Sequence, residues 1–194
     1  MRELATCFRP TSDWAPSGRF PVACASICLD RLPATGLIRL QGDPSETSLA
    51  NHVRRATALE LPGACRHVTG NGFTLAWTAP NEWLLFGSLA REDALLQGFT
   101  EAFAGSFVSA TPLTDSRIGF EVSGTAADDF IAKGCAIDTR ASSFDPGALA
   151  ITRFAGLTAM VMRVQGAYRL FFDVSYQAAI LHWMLDATSE WTAD

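Results

Sequence analysis

The sequence predicts an internally duplicated α+β fold, with two β-α-β-β-α halves packed into one domain. Three observations carry that reading. A strand, a glycine and a capped helix occur together twice, near residues 36–56 and near 116–138. Each such unit is followed by a loop, two apolar strands and a further helix. The matching landmarks are Gly42 with Gly124, Phe73 with Leu157 and Trp83 with Tyr168, at offsets of 82, 84 and 85 residues. That spacing is too long for a solenoid, whose repeats run to about 20–50 residues.

Size and composition fit one globular domain. A chain of 194 residues buries roughly 70% of its unfolded surface and needs no covalent staples. Hydrophobic residues make up 48% and charged residues 18%, with a formal net charge of −5. A negative chain lacks the basic face that general nucleic-acid binding requires. The five cysteines are Cys7, Cys24, Cys28, Cys65 and Cys135. Their odd number and the lack of a C-x-x-C pair argue against a disulfide framework and fit a reducing cytoplasm. The apolar run at 20–29 follows Arg19 but is too short to span a bilayer. Its lead carries Glu3, Asp13 and prolines, unlike a signal peptide. We read it as a buried strand, and no other stretch is long enough for a membrane span.

In chain order, residues 1–30 are expected to form an N-terminal arm and a first strand, and residues 31–194 the duplicated domain. Pro10, Pro16 and Gly18 mark residues 1–18 as an extended arm, with Trp14 docking on the body. Residues 22–29 read as a strand and 31–35 as a turn. The first half spans about 36–106. Its strand at 36–40 runs into Gln41 and Gly42. Asp43 is placed to cap a helix, with Pro44 at the first helical position and Glu46 three residues after the cap. Leu49, Val53 and Ala56 form the helical stripe. Gly70-Asn71-Gly72 reads as a hairpin turn before the strand at 73–79. Pro80-Asn81-Glu82 turns the chain into the strand at 83–87. An amphipathic helix at about 91–103 sets Leu95, Leu96, Phe99 and Phe103 on one side. Residues 107–114, with Pro112, form a link or an edge strand.

The second half spans about 115–191. Ile118, Phe120 and Val122 alternate with Gly119, Glu121 and Ser123, the period of a strand with one buried face. Gly124 breaks it, at a sharp turn that calls for φ > 0 or close backbone approach. Thr125 is placed to cap the next helix, with Asp128 at capping-box spacing. Ala127, Phe130 and Ile131 share a helical face, and Gly134 suits the left-handed residue that ends it. A turn at 144–147, strands at 148–154, 157–163 and 168–174, and a helix at about 176–187 complete the half.

Chemistry is sparse. His52 and His182 fall on different helices and His67 in a loop, and none has a partner at metal-ligand spacing. The sequence has no G-x-S-x-G, Walker A or dinucleotide fingerprint. Cys135 reads as a small buried residue. Asp128 and Asp129 could serve acid–base work, but helix capping and the helix dipole account for them. Asp138 is placed to hold its loop through backbone N–H groups, with a ligand contact as the alternative. The last helix is apolar nearly all round: Leu181 and Leu185 form one stripe, and Ile180, Trp183 and Met184 an adjacent one. A helix of that kind is buried on more than one side. Ile180, Trp183 and Met184 are therefore the candidate interface, with cover by the arm and Trp14 as the alternative.

One stretch carries a family resemblance. Trp77-Thr78-Ala79-Pro80-Asn81-Glu82-Trp83-Leu84-Leu85 is similar to the W-x-x-P-[DN]-E-W-L-L of the gamma subunit of heterotetrameric sarcosine oxidase. Thr114-Asp115-Ser116-Arg117, Ala132-Lys133-Gly134-Cys135-Ala136-Ile137-Asp138 and Phe144-x-Pro146-Gly147 add to it, over about residues 32–191. That subunit resembles in turn the first domain of the folate-binding aminomethyltransferase (T-protein) of the glycine cleavage system, itself a duplicated α+β unit. The resemblance implies a non-catalytic subunit that binds a large alpha-type subunit, with flavins, NAD and tetrahydrofolate held by partner subunits. The complex would demethylate sarcosine oxidatively to glycine and pass a one-carbon unit to tetrahydrofolate. The folate enzymes carry an aspartate near the place matching Gly72-Phe73-Thr74-Leu75, where this chain has no carboxylate. That departure argues against folate turnover by this chain. The alternative is a stand-alone small-ligand or folate-binding protein. Gly42, Trp83, Gly124, Gly134 and Asp138 are expected to be structural marks of the fold.

Overall fold

Successive side chains of a strand point to opposite faces, so a continuous apolar run can serve two layers at once, and the long strands here do so. The computed structural model describes residues 20–45 and 47–192. In the first half the chain forms β3 (Gly36–Gln41), α1 (Thr47–Thr57), β4 (His67–Gly70), β5 (Phe73–Ala79), β6 (Glu82–Gly87), α2 (Leu89–Ala102) and β7 (Ser109–Pro112). In the second half it forms β8 (Arg117–Ser123), α3 (Ala127–Gly134), β9 (Leu149–Phe154), β10 (Leu157–Val164), β11 (Ala167–Asp173) and α4 (Gln177–Thr192). A short hairpin, β1 (Val22–Ala23) and β2 (Cys28–Arg31), precedes both.

The strands make two antiparallel sheets. The first-half sheet runs β4-β5-β6-β3-β7 and the second-half sheet β1-β2-β8-β11-β10-β9. Four strands of each follow the same order, β4-β5-β6-β3 and β9-β10-β11-β8, with the same succession of strand, helix, three strands and helix. Each helix-to-helix unit thus holds three strands where β-α-β-β-α has two; the strand at 148–154 was expected, and His67–Gly70 is the one that was not. His67–Gly70 lacks an apolar alternation and resembled loop. The turn that follows it is as expected, with Asn71 at φ 55° and Gly72 at φ 81°.

The two faces of each strand divide between cores. In β10, Ala159 and Val161 join a core with Phe130 and Ile131 of α3 and Ile180 and Met184 of α4. Met160 and Met162, on the other face, meet Leu37, Ala76, Leu84 and Phe86 of the first-half sheet. In β6, Trp83 and Leu85 pack with Leu49 and Val53 of α1 and Phe99 of α2. The result is four layers: helices, sheet, sheet, helices. At one corner the sheets are stitched together. Arg66 and Ala148 form a bridge, Leu149 N donates to Cys65 O at 2.9 Å, and His67 N donates to Gly147 O at 2.8 Å.

Several local expectations are corrected. The strand at 22–29 is a hairpin, closed by Cys24 N donating to Ile27 O at 2.9 Å. Its second strand pairs with β8, so the hairpin is part of the second-half sheet. Asp43 lies four residues before the described start of α1 at Thr47. It accepts from the N and Oγ of Ser45 at 2.8 and 2.7 Å, a local turn that competes with helix. Thr125 does not cap α3. The helix begins at Ala127, and Ala126 N donates to Ser26 O of the hairpin at 2.9 Å. Gly134 ends α3 without turning left-handed, and Cys135 beyond it is extended at φ −146°. Gly134 is needed for space, because a Cβ there would overlap the Phe154 ring. The arm at 1–18, Trp14 and Glu46 lie outside the described residues.

Candidate functional site

The candidate interface on the last helix is the first site to place. Ile180 and Met184 are fully buried within the chain itself, and Trp183 is half-buried. Trp183 stands edge-on to Phe154 at 5.0 Å and to Phe130 at 5.7 Å. The helix is apolar on two sides because it covers both the second-half sheet and α3. β1 also lies against it. Of the expected interface, Ile180 and Met184 are instead core of this chain, and Trp183 packs half-buried against that core.

The carboxylates singled out by sequence hold structure. Asp138 accepts from Arg140 N at 3.1 Å, Arg140 Nε at 2.8 Å and Ser143 Oγ at 2.8 Å. The Arg140 guanidinium, with help from Ser143, keeps its carboxyl well below the usual carboxylate range. Asp128 accepts from Tyr168 Oη at 2.5 Å and Arg163 Nη1 at 2.9 Å. Burial, with the Asp128 hydrogen bond second, pushes the Tyr168 phenol up. Burial also pushes the Cys135 thiol up, away from nucleophilic use.

His67 is not in a loop: it opens β4 and is buried. Its Nε2 lies 2.9 Å from Arg163 O. A carbonyl only accepts, so Nε2 carries the proton. Nδ1 is then a buried acceptor without a hydrogen-bond partner. Burial lowers the His67 pKa and keeps the ring neutral. Arg39 Nε on β3 is likewise buried and unpaired. Arg169 and Glu121 pair at 2.9 Å, both partly exposed. At the place where the folate enzymes carry an aspartate, Phe73 and Leu75 are core and Thr74 Oγ1 lies 3.0 Å from Thr69 Oγ1. Among the described residues no cluster of His, Cys, Asp and Glu could hold a metal, and no helix is long and apolar enough to cross a membrane.

The segments that carried the family resemblance turn out to be staples. Asn81 takes φ 61°, a conformation that asparagine tolerates, at the tip between β5 and β6. Its carbonyl accepts from Gly42 N at 3.0 Å. Glu82 receives Thr78 Oγ1 at 2.8 Å and Gln41 Nε2 at 3.2 Å. Trp83 is buried and donates from Nε1 to Pro62 O at 3.0 Å. Thr114 Oγ1 accepts from Leu37 N at 2.8 Å and donates to Glu92. Lys133 Nζ donates to Ala187 O at 3.0 Å, pairs with Glu190 at 2.8 Å and sits 4.4 Å from the Trp191 ring. Phe144 stacks on Tyr168, and Gly147 takes φ 92° at the corner between the sheets.

Two features escaped sequence reasoning. Arg66 pairs with Asp145 at 2.5 Å and closes that corner; nothing short-range links residues so far apart. Phe107, in the loop between α2 and β7, is 97% exposed. Its signal was an aromatic among Gly105, Ser106 and Ser109.

The chain matches the sarcosine oxidase, gamma subunit family over residues 41–190. It is 27% identical over 161 residues to sarcosine oxidase subunit gamma from Corynebacterium sp. (strain U-96), covering 81% of this chain and 76% of that one. The fold superposes with TM-score 0.80 and 25% identity on a chain of the heterotetrameric sarcosine oxidase from Corynebacterium sp. U-96 in complex with pyrrole 2-carboxylate, covering 90% of each chain. It also superposes on the glycine cleavage system aminomethyltransferase T from Bartonella henselae, with TM-score 0.59 and 12% identity, over 83% of this chain and 46% of that one. This second likeness is one of fold alone. The similarity in sequence and that in fold agree, and the chain belongs to the sarcosine oxidase gamma subunit family.

Proposed function

We propose that this chain is a non-catalytic, gamma-type subunit of a sarcosine oxidase-like complex in the cytoplasm, and that it binds the large alpha-type subunit. The complex demethylates sarcosine oxidatively to glycine and transfers the one-carbon unit to tetrahydrofolate. Flavins, NAD and tetrahydrofolate are held by the partner subunits. The observation that carries this reading is the match over 90% of both chains to a chain of a heterotetrameric sarcosine oxidase. The structural use of the notable side chains supports a scaffolding role. Asp128, Asp138 and Glu82 are each committed to partners within the chain. We also read the two halves as an internal duplication, supported by their shared strand order.

The test is purification of the tagged chain from its native host. We expect it to bring down the large oxidase subunits in fixed proportion, and the complex to produce peroxide on addition of sarcosine. The chain purified alone is expected to be colourless and inactive. An oxidase that assembles and turns over without this chain would refute the subunit role. A flavin band that survives dialysis of the isolated chain would refute the non-catalytic role.

A further inference from the structure

We propose that Phe107 is the anchor by which this chain docks into an apolar, ring-sized pocket on a larger partner subunit. The inference rests on the reading that the chain is part of a hetero-oligomer, and it names the surface.

Phe107 is far more exposed than the other large apolar side chains of the described surface, which range from 38% to 48%. It is also held out on both sides. On one side, Ser106 donates from N and Oγ to Phe103 O at 3.0 and 2.7 Å, and Gly105 turns at φ 78°. Phe103 itself is buried beneath α2. On the other side, Val108 is buried against Gly42, where an added Cβ would come within 2.9 Å of it. The chain thus buries the residue just after Phe107 and clamps the one before it, leaving the ring in water. With its neighbours Ser106 and Val108 held, the backbone that presents the ring has little freedom left to lose on binding. Aromatic residues are enriched among those that carry binding energy.

The surroundings select the occupant. Gly42 N also donates to Asn81 O at the β5–β6 tip. The exposed Pro80 and Asn81 therefore lie at the same end of the first-half sheet as Phe107. The loop itself offers small residues, Ala104, Gly105 and Ser106. One phenyl ring provides about 150–250 Å², against roughly 800 Å² per partner in a stable complex. The ring is therefore one anchor within a larger contact, and the same loop of a second copy, a ring among small residues, offers no apolar pocket to receive it. A knob with a polar, hairpin-lined rim fits a heterologous pocket instead.

The test co-expresses the tagged full-length chain with the oxidase subunits encoded in the same genome, as wild type, Phe107→Ala and Phe107→Leu. We expect the alanine variant to retain less than about one-tenth of the co-purifying large subunit, and the leucine variant an intermediate amount. Both isolated variants should melt at the wild-type temperature. Undiminished co-purification of Phe107→Ala, with wild type assembling normally, overturns the anchor alone. If the other subunits assemble while the wild-type chain stays free, the hetero-oligomer reading fails and the anchor with it. If the isolated wild type self-associates and Phe107→Ala is monomeric, the occupant is a second copy and the proposal is wrong.

Discussion

On the first-half sheet, α2 turns one side inward: Phe99 is buried, and Leu95 and Leu96 pack partly against the same core. Asp93, Gln97 and Glu101 are exposed on its outer side, while Glu92 turns in to accept from Thr114. On the second-half sheet, α4 buries Ile180, Leu181, Met184 and Ala187, and its half-buried Trp183 and Trp191 pack on Phe130 of α3. Both helices end a half and cover a sheet. Each also touches the other helix of its half, α1 or α3, and α4 in addition lies against β1. An all-apolar helix reports that two surfaces meet it, but not whether the second surface belongs to another chain.

That comparison breaks most visibly at Trp183. Trp183→Ala should cost about 3 kcal/mol, a fall in melting temperature on the order of 10 °C. Co-purification of oxidase subunits per folded molecule should stay constant. An unchanged melting temperature with lost binding would restore the interface and remove the contrast with α2. The two strand-to-helix turns sharpen the comparison next. Gly124 takes φ 105°, and a Cβ there would overlap Ser26 O, a backbone atom. Gly42 faces only the side chain of Val108. Gly124→Val should destabilise by about 1–3 kcal/mol, and Gly42→Ala by about 1 kcal/mol. Chemical denaturation that ranks Gly42 above Gly124 would count against this account of the turns.

A smaller effect sits where the halves meet. The folded pKa of His67 lies below its ordinary value of 6.5 because the ring is buried. The unfolded chain therefore takes up the proton first. The stability from the neutral ring is fully present above about pH 6.5 and is lost as pH falls through the folded value. Melting temperatures between pH 8 and pH 5 should decline less steeply for His67→Gln than for wild type, and equal slopes would exclude His67 as the cause. The smallest effect is expected at the exposed Arg66–Asp145 pair beside it. Arg66→Ala should cost less than about 1 kcal/mol, measured by denaturant midpoint.

Much of the fold was legible, because period-2 alternation at 118–122, the apolar run at 157–163 and the Asn71-Gly72 turn are local signals. The family resemblance rested on segments such as 77–85, whose residues are used in staples that depend on residue type: Asn81 for its left-handed φ, Glu82 for its two donors. What local pattern did not reveal depends on distant partners. Thr125 looked like a cap until Ser26 took over the donor at Ala126. Gly134 looked like a helix terminator until Phe154 filled its space. His67 looked like a loop residue because its burial comes from Arg163 and Gly147, across the corner. The last helix gave the wrong site for the same reason: its second covering surface, α3, lies about fifty residues back in the chain.

The strand order has a consequence for synthesis on the ribosome. The first-half sheet is drawn from one continuous span, β4-β5-β6-β3-β7, all between residues 36 and 112. The second-half sheet takes β2 from residues 28–31 and β11 from residues 167–173, and seats both beside β8. The early hairpin must therefore wait, without its sheet partner, until β8 at 117–123 has been made. Meanwhile Leu37, Leu84 and Phe86 await the second-half sheet that will cover them. The nascent chain thus carries a finished sheet with a bare apolar side, the kind of surface that aggregates or recruits chaperones. Pulsed hydrogen exchange on growing chains should find Leu75 and Leu85 protected before Phe120 and Leu170. The opposite order would mean that the second half leads.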